Sequence, residues 1–379
     1  MSKVILYQHR LLHYRVGLFE RLREVCAQRG IDLHLVHGQA SRRESVKRDE
    51  GSLPWAHKVE NFFWEVGESD LMWQPFPSEL RNSDLVVVMQ ESRILSNYAL
   101  LFNSCFSSRK IAYWGHGVNF QSDAPLGLRE RWKRLMLKRV DWWFAYTEMT
   151  VDIVRCAGFP QERITCLDNA IDNELFERDL TSVSAEDLQR MRIEIDAPEG
   201  SPIGLFCGSL YPDKRLSYMI DAADRIQAAL PAFRMVVIGA GPSANEICIA
   251  TKTRPWLTWL GACKGLKKAS WFRLADVVIN PGAVGLHVLD SFCSSTPMIT
   301  TAESRHGPEI VYLEDGVNGL IVSGEATRYA DAVIALFTDR ARLERIKQRA
   351  LCDARRYTLD NMVNRFVSGI EQCMLMHKK

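Results

Sequence analysis

The sequence predicts an α/β fold made of two doubly wound domains in tandem. Three observations predict it. Apolar, strand-like runs alternate with amphipathic helical runs in both halves of the chain, and a polar stretch near the middle, closed by Pro and Gly, interrupts the alternation. The 379 residues also suit two cores of about 150–200 residues better than one.

The first half opens with "KVILYQ" (3–8) as a strand, "GLFERLREVCAQRG" (17–30) as a helix ending at Gly30, and "DLHLVHG" (32–38) as the next strand. Short links between them imply a right-handed parallel βαβ unit. Further strands are expected at "DLVVVMQ" (84–90), "KIAYWGHG" (110–117), "WWFAYT" (142–147) and "ITCLDNAI" (164–171). Residues 1–175 form this domain, and the polar stretch at 176–202 reads as a linker. The alternation restarts with "IGLFCGSL" (203–210), a helix over 215–230, "RMVVIGAG" (234–241), "LTWLG" (257–261), "DVVIN" (276–280) and "PMITT" (297–301), giving a second domain over 203–354. A closing helix lies within 355–379. Ligands of open α/β sheets bind outside the carboxyl ends of the strands, so functional residues should follow strands.

Composition narrows the function classes. A net charge of +2 gives no global pull toward nucleic acid. Ten cysteines without a C-x-x-C pair disfavour a zinc site or a disulfide framework and suit a reducing compartment. The mean hydropathy of -0.14 and the lack of a long apolar run argue against a spanning helix, and "MSKVILYQHR" lacks the features of a signal peptide. A cytoplasmic protein is expected.

Two glycine motifs follow strands. "VVIGAGPSA" (236–244) fits the dinucleotide fingerprint, but it follows a later strand of its domain and no acid stands about 20 residues on for a ribose, so a nicotinamide site is disfavoured. Gly239 there permits a tight turn close to a nucleotide. In "FCGSLYPDKR" (206–215), Gly208 turns the chain off a strand and Lys214 stands where a helix starts, an anion-binding arrangement.

"GSLYPDKRLSYMIDAADRI", "VVIGAGP", "WLG", "DVVINPGAVGLHVLDSFCSSTPMIT" and "HGPEIVYLEDGVNGLIV" (306–322) follow one another in an order and spacing that resemble the C-terminal domain of retaining glycosyltransferases of family 4. "DWWFAYTEMTVDIVRCAGFPQERITCLDNAIDNELF" (141–176) resembles the stretch that closes their N-terminal domain. The resemblance implies the GT-B fold: two Rossmann-like domains facing a cleft, an N-terminal one for the acceptor and a C-terminal one for a nucleotide sugar, with the last helix crossing back to the first domain. It also implies transfer of a hexosyl or deoxyhexosyl group to a saccharide or lipid-linked acceptor, in surface polysaccharide or lipopolysaccharide synthesis, with front-face retention.

The family carries a pair of glutamates on the loop at 280–292, one toward the sugar and one on the ribose. Here Gly282 stands at the first place and Asp290 at the second. An ionised Asp290 could accept both ribose hydroxyls, and backbone N–H groups of Gly285, Leu286 and His287 could meet the diphosphate. Lys214 would stabilise the leaving diphosphate, while the Arg that the family usually adds is Ser209 here. Gly282 suggests an altered donor such as a deoxyhexose; a degenerate, non-catalytic protein that binds a nucleotide or partner is the alternative reading. His116 in "YWGHGVNF" matches a family His near the donor, and Glu309 matches an acid in the next loop, with Arg305 and His306 adding positive charge.

On the acceptor side His9, Arg10, His13, Tyr14 and Arg15 follow the first strand, and Glu91 and Arg93 end another. "RERWKRLMLKR" (129–139) interleaves Arg131, Lys133, Arg134 and Lys138 with Trp132 and leucines, as a helix lying peripherally on the inner membrane face would. No D-x-D pair occurs, so neither a metal nor another cofactor is expected in the reaction.

Overall fold

The computed structural model describes residues 1–45, 49–67, 69–117 and 136–376. Two units divide the chain. Unit 1 comprises Met1–Asp172 with Leu359–Lys379, and unit 2 comprises Asn173–Thr358.

The strands of unit 1 are β1 (Ser2–Arg10), β2 (Ile31–Gly38), β3 (His57–Lys58), β4 (Phe62–Val66), β5 (Ser69–Trp73), β6 (Leu85–Met89), β7 (Lys110–Gly115), β8 (Trp142–Ala145) and β9 (Ile164–Cys166). Seven form a parallel sheet in the order β3-β2-β1-β6-β7-β8-β9, while β4 and β5 make a separate antiparallel pair. Helices Val16–Gln28 and Glu148–Cys156 each bury one apolar face; on the first it is Leu18, Phe19, Leu22 and Cys26. That is the narrow stripe expected of a helix lying on a sheet. The core gathers around Ile5, Val36, Val86, Val88, Ile111 and Trp143. The final helix, Leu359–Leu375, also belongs to this unit, with Phe366 stacked on Phe144 at 4.3 Å.

Unit 2 adds β10 (Ile203–Cys207), β11 (Arg234–Ile238), β12 (Leu257–Trp259), β13 (Val277–Ile279), β14 (Met298–Thr301) and β15 (Gly319–Val322). They form a parallel sheet in the order β12-β11-β10-β13-β14-β15. This is the doubly wound order of a Rossmann domain, with its switch point between β10 and β13. Helices Leu216–Ala229 and Ala326–Thr338 close its core around Phe206, Met219, Ile226, Phe233, Val237 and Tyr329.

The segment read as a linker is instead folded into unit 2, as helices Glu174–Ser182 and Ala185–Glu194. The first buries only Phe176 and Leu180, and Phe176 meets Phe272 edge-on at 5.5 Å. The second starts at a capping box between Ser184 and Asp187 and has no fully buried residue. Two narrow apolar stripes in a charged stretch look like a solvated connection in composition. The expected strand at 164–171 shortens to β9, because the chain turns at Asp168, whose φ is 49°. No described helix is long and apolar enough to cross a membrane.

Candidate functional site

In unit 2 the loops that leave β10 and β13 meet at the carboxyl end of the switch point. After β10 the chain runs alongside the loop after β11: Gly208 N–H donates to Ile238 O (3.0 Å) and Leu210 N–H to Ala240 O (2.9 Å). Gly239 and Gly241 make this approach possible. A Cβ at Gly239 would lie 1.9 Å from Gly208 O, and one at Gly241 would lie 2.2 Å from Leu210 O. The fingerprint-like glycines are thus accounted for by backbone packing.

Lys214 ends the short 3-10 turn Pro212–Lys214 and is 4% exposed. Its ammonium group donates to Ala283 O across the switch point. Burial pulls the Lys214 pKa down to about 8, against smaller opposing contributions from Cys207 and Asp213. Ser209 is exposed beside the turn.

The loop after β13 is pinned carbonyl by carbonyl. Pro281 O accepts from Thr301 Oγ1 (2.6 Å) and Ser304 Oγ (2.7 Å), and Gly282 O accepts from Asn280 Nδ2 and Thr300 Oγ1 (3.3 Å each). Val284 O accepts from Gly307 N–H (2.8 Å). Val284 N–H donates to His306 Nδ1 (3.1 Å), while His306 Nε2 lies 2.7 Å from Thr301 O and donates to it. One ring nitrogen accepting and the other donating defines a neutral imidazole, and burial holds the His306 pKa below its usual range. His306 therefore adds no positive charge, contrary to the expectation from sequence. It is a neutral strut between two loops. Arg305 is exposed.

Gly282 packs against the lysine turn. A Cβ there would stand 2.3 Å from Lys214 Cα, so the missing acid has a cause in packing and is no argument for a deoxyhexose. Gly285, Leu286 and His287 are half-buried at the loop–helix junction. The helix His287–Cys293 is only seven residues long, so its dipole is a small contribution. His287 Nε2 is buried without a hydrogen-bond partner among the described residues. Burial, then the charges of Lys214 and Lys268, hold its ring neutral, with a pKa well below the usual value.

Asp290 is buried and paired with a cation that the sequence reading did not include. Its Oδ2 pairs with Lys268 Nζ at 2.7 Å. Lys268 stands on the helix Gly265–Leu274 with its ammonium 4.8 Å from the centre of the Phe176 ring. Nothing local in "KGLKKAS" sets Lys268 apart from its solvated neighbours, which is why sequence reading missed it. Glu309 is 5% exposed, and its carboxylate folds back over Gly307.

Unit 1 has its own switch point, between β1 and β6, with a charged cluster at the carboxyl ends of those strands. His9 Nε2 lies 3.3 Å from Glu44 Oε1 and His9 Nδ1 lies 3.5 Å from Glu91 Oε1. Arg93 bridges both acids, to Glu44 at 2.8 Å and to Glu91 at 2.7 Å. Burial alone would raise the Glu44 carboxyl, but His9 and then Arg93 outweigh it and hold the acid well below the usual range. Sequence reading had His9, Glu91 and Arg93 but not Glu44, which arrives from the loop after β2.

The other candidates of this region are spoken for. Arg10 pairs with Asp49, and Arg15 is buried over the Trp114 ring (4.6 Å) while donating to Tyr146 Oη (3.0 Å). His13 and Tyr14 rings meet edge-on at 5.9 Å, with Tyr14 36% exposed. His116, just past β7, stands edge-on to Tyr146 at 4.1 Å. Burial, then the charge of Arg15, lower its pKa to about 4, so it is neutral at pH 7. Arg131, Trp132, Lys133 and Arg134 lie outside the described residues, and Lys138 is exposed.

Residues 201–339 match the family described as Glycosyl transferases group 1. A D-inositol 3-phosphate glycosyltransferase of Nocardia farcinica is 26% identical over 368 residues, covering 86% of this chain and 78% of that protein. Other curated relatives are spanned over about half of their length. Among solved structures, a glycosyltransferase from Rickettsia africae superposes with a TM-score of 0.70 at 12% identity, covering 100% of this chain and 99% of that one. HepE of Anabaena in complex with UDP gives 0.69 at 15%, covering 98% and 100%. These likenesses establish the GT-B fold. The match to the Glycosyl transferases group 1 family thus falls within unit 2, on the part of the chain that carries the switch-point lysine and the pinned loop.

Proposed function

We propose that the chain is a retaining glycosyltransferase. It moves a sugar from a nucleotide-diphosphate donor to a saccharide or lipid-linked acceptor in surface polysaccharide or lipopolysaccharide assembly. The observation that carries this reading is the buried ammonium of Lys214, held across the switch point beside the loop Gly282–His287. A fixed cation in a largely dry site stabilises charge that grows on a leaving diphosphate far better than a solvated one would. In front-face retention that diphosphate also takes the acceptor's proton, so a general base is not required of the protein. The neutral His287, with a buried ring nitrogen that lacks a partner among the described residues, suits a hydroxyl of the nucleotide, which can donate or accept. Asp290 reaches the ribose, in this reading, as a pair with Lys268.

From unit 1 the reading assigns His116 to the donor and the His9–Glu91 group to the acceptor, by resemblance and by the chemistry of each cluster. No metal is invoked, since the chain has no D-x-D pair. HepE of Anabaena was solved with UDP and with UDP-glucose, which makes uridine donors the first to try.

The test is a thermal-shift screen against UDP-, GDP-, dTDP- and ADP-sugars, their free nucleotides and NAD(H), with Lys214→Ala and His287→Ala in parallel. Stabilisation by one nucleotide sugar, lost in both variants, is the expected result. Stabilisation by NAD(H) alone, or by no nucleotide, would remove the proposal. An acceptor screen with the stabilising donor, followed by the anomeric configuration of the product, then tests retention.

A further inference from the structure

Away from both switch points, two histidines face each other on the outer strands of the unit 1 sheet. Strands β2 and β3 pair with Val36 opposite His57, so His34, two residues before Val36, lies on the same face as His57. His34 Nδ1 and His57 Nε2 are 3.2 Å apart. Each ring turns its other nitrogen toward a carboxylate: His34 Nε2 lies 2.9 Å from Asp32 Oδ2, and His57 Nδ1 lies 3.8 Å from Glu79 Oε1.

A neutral imidazole carries one N–H. Asp32, within hydrogen-bond reach, favours the hydrogen on His34 Nε2 and so leaves a lone pair on His34 Nδ1; His57 Nε2 either donates to that lone pair or, with its hydrogen on the Glu79 side, presents a second lone pair at 3.2 Å. In the second tautomer the two lone pairs converge on a point that a cation can occupy in place of the shared hydrogen. A metal ion at the usual zinc–imidazole distance of about 2.0–2.1 Å from both nitrogens would subtend an angle of about 100°, close to tetrahedral. A carboxylate bonded to the second ring nitrogen, as Asp32 is to His34 Nε2, is also how metal-binding histidines are oriented and made more basic.

We propose that His34 and His57 form a binding site for a divalent cation that prefers imidazole, Zn²⁺ foremost, with water completing its coordination. The side chains are 23% and 30% exposed, enough for solvent to reach the ion. The ammonium of Lys3, which donates to Glu79 O, is a nearby charge that opposes a cation. The ion would tie β3, only two residues long, to β2. A second group, Glu148 with Cys166 and Asp168, brings ligand atoms within 4.8 Å, but Arg365 already holds Asp168 at 2.9 Å. This inference stands independently of the proposed transfer reaction.

The test is titration of the full-length, tag-free chain with ZnCl₂ by calorimetry, with the histidine ring ¹⁵N signals followed by NMR. The wild type should take up one Zn²⁺ that His34→Gln and His57→Gln each lose, and Asp32→Asn should weaken this binding about 10–100-fold. The melting temperatures of the variants without metal separate a loss of folding from a loss of the site. Equal zinc uptake by wild type and both variants would overturn the proposal. So would ring nitrogens that report a shared proton and do not respond to zinc.

Discussion

A Cβ on Gly282 would stand 2.3 Å from Lys214 Cα and 2.4 Å from Asp213 O. The turn that delivers the lysine therefore rests directly on the glycine, and Ala283 N–H donates to Asp213 O (2.9 Å) to seal the contact. An acid at 282 and this lysine turn exclude one another in this backbone. Gly282→Glu should then fail to restore a sugar-facing carboxylate. It should destabilise the chain by at least the ~1–3 kcal/mol typical of overpacking, and donor binding should fall with it. Unchanged thermal unfolding of Gly282→Glu would show that the turn can move.

Lys214 should make nucleotide binding pH-dependent just above neutrality. Burial lowers its pKa to about 8, and only the protonated amine attracts a diphosphate. Affinity should be full below pH 8 and fall about tenfold per unit above it, since one proton is then taken up with each ligand. A bound diphosphate itself raises the pKa, so the break belongs to the free protein. Lys214→Arg holds its charge throughout this range and should flatten the profile, even if its affinity is lower. Isothermal titrations of the wild type and Lys214→Arg between pH 6.5 and 9.5, about 1.5 units either side of the break, decide this. A flat wild-type profile would place the ammonium away from the phosphates.

These dependencies mark where the sequence stops being legible. Strands such as β1, β6, β10 and β13 announce themselves as apolar runs, and Lys214 follows the glycine turn where an anion site was expected. The helices Glu174–Ser182 and Ala185–Glu194 did not, because apolar burial on the first is limited to Phe176 and Leu180. Strand β3 was missed as well, since two residues, His57 and Lys58, carry no period. The charge of His306 depends on an N–H from Val284 that only the folded loop supplies. Likewise, the partner of Asp290 is not visible until the fold brings Lys268 to it.

The Lys268–Asp290 pair should behave as a buried ion pair. Asp290 has 7% side-chain exposure and Lys268 has 23%. Lys268→Met strands the carboxylate and should cost about 3 kcal/mol, the lower end for a broken buried pair because the ammonium is partly solvated. The double variant Lys268→Met/Asp290→Leu should recover much of that stability while binding nucleotide more weakly than wild type. Losses that simply add across the cycle would mean the two side chains do not interact in solution. Urea denaturation of the four proteins gives the coupling directly.

The final helix should matter to unit 1 through one ring. Phe366 has no exposed surface, stacks on Phe144 at 4.3 Å with an 18° interplanar angle, and meets Trp114 edge-on at 5.1 Å. The far end of the helix is held by Lys110, whose ammonium donates to Cys373 O (2.6 Å) and Met374 O (2.8 Å). The helix is therefore anchored by packing in its middle and by a cation at its carboxyl end, where the helix dipole favours positive charge. Phe366→Ala should cost about 3–5 kcal/mol, the range for emptying a large aromatic site. Leu375→Ala, on an 83% exposed side chain of the same helix, should stay within about 0.5 kcal/mol. If the two substitutions lower the denaturation midpoint equally, the helix is not docked through Phe366. If only the first does, the middle of this helix is part of the unit 1 core despite its distance in sequence.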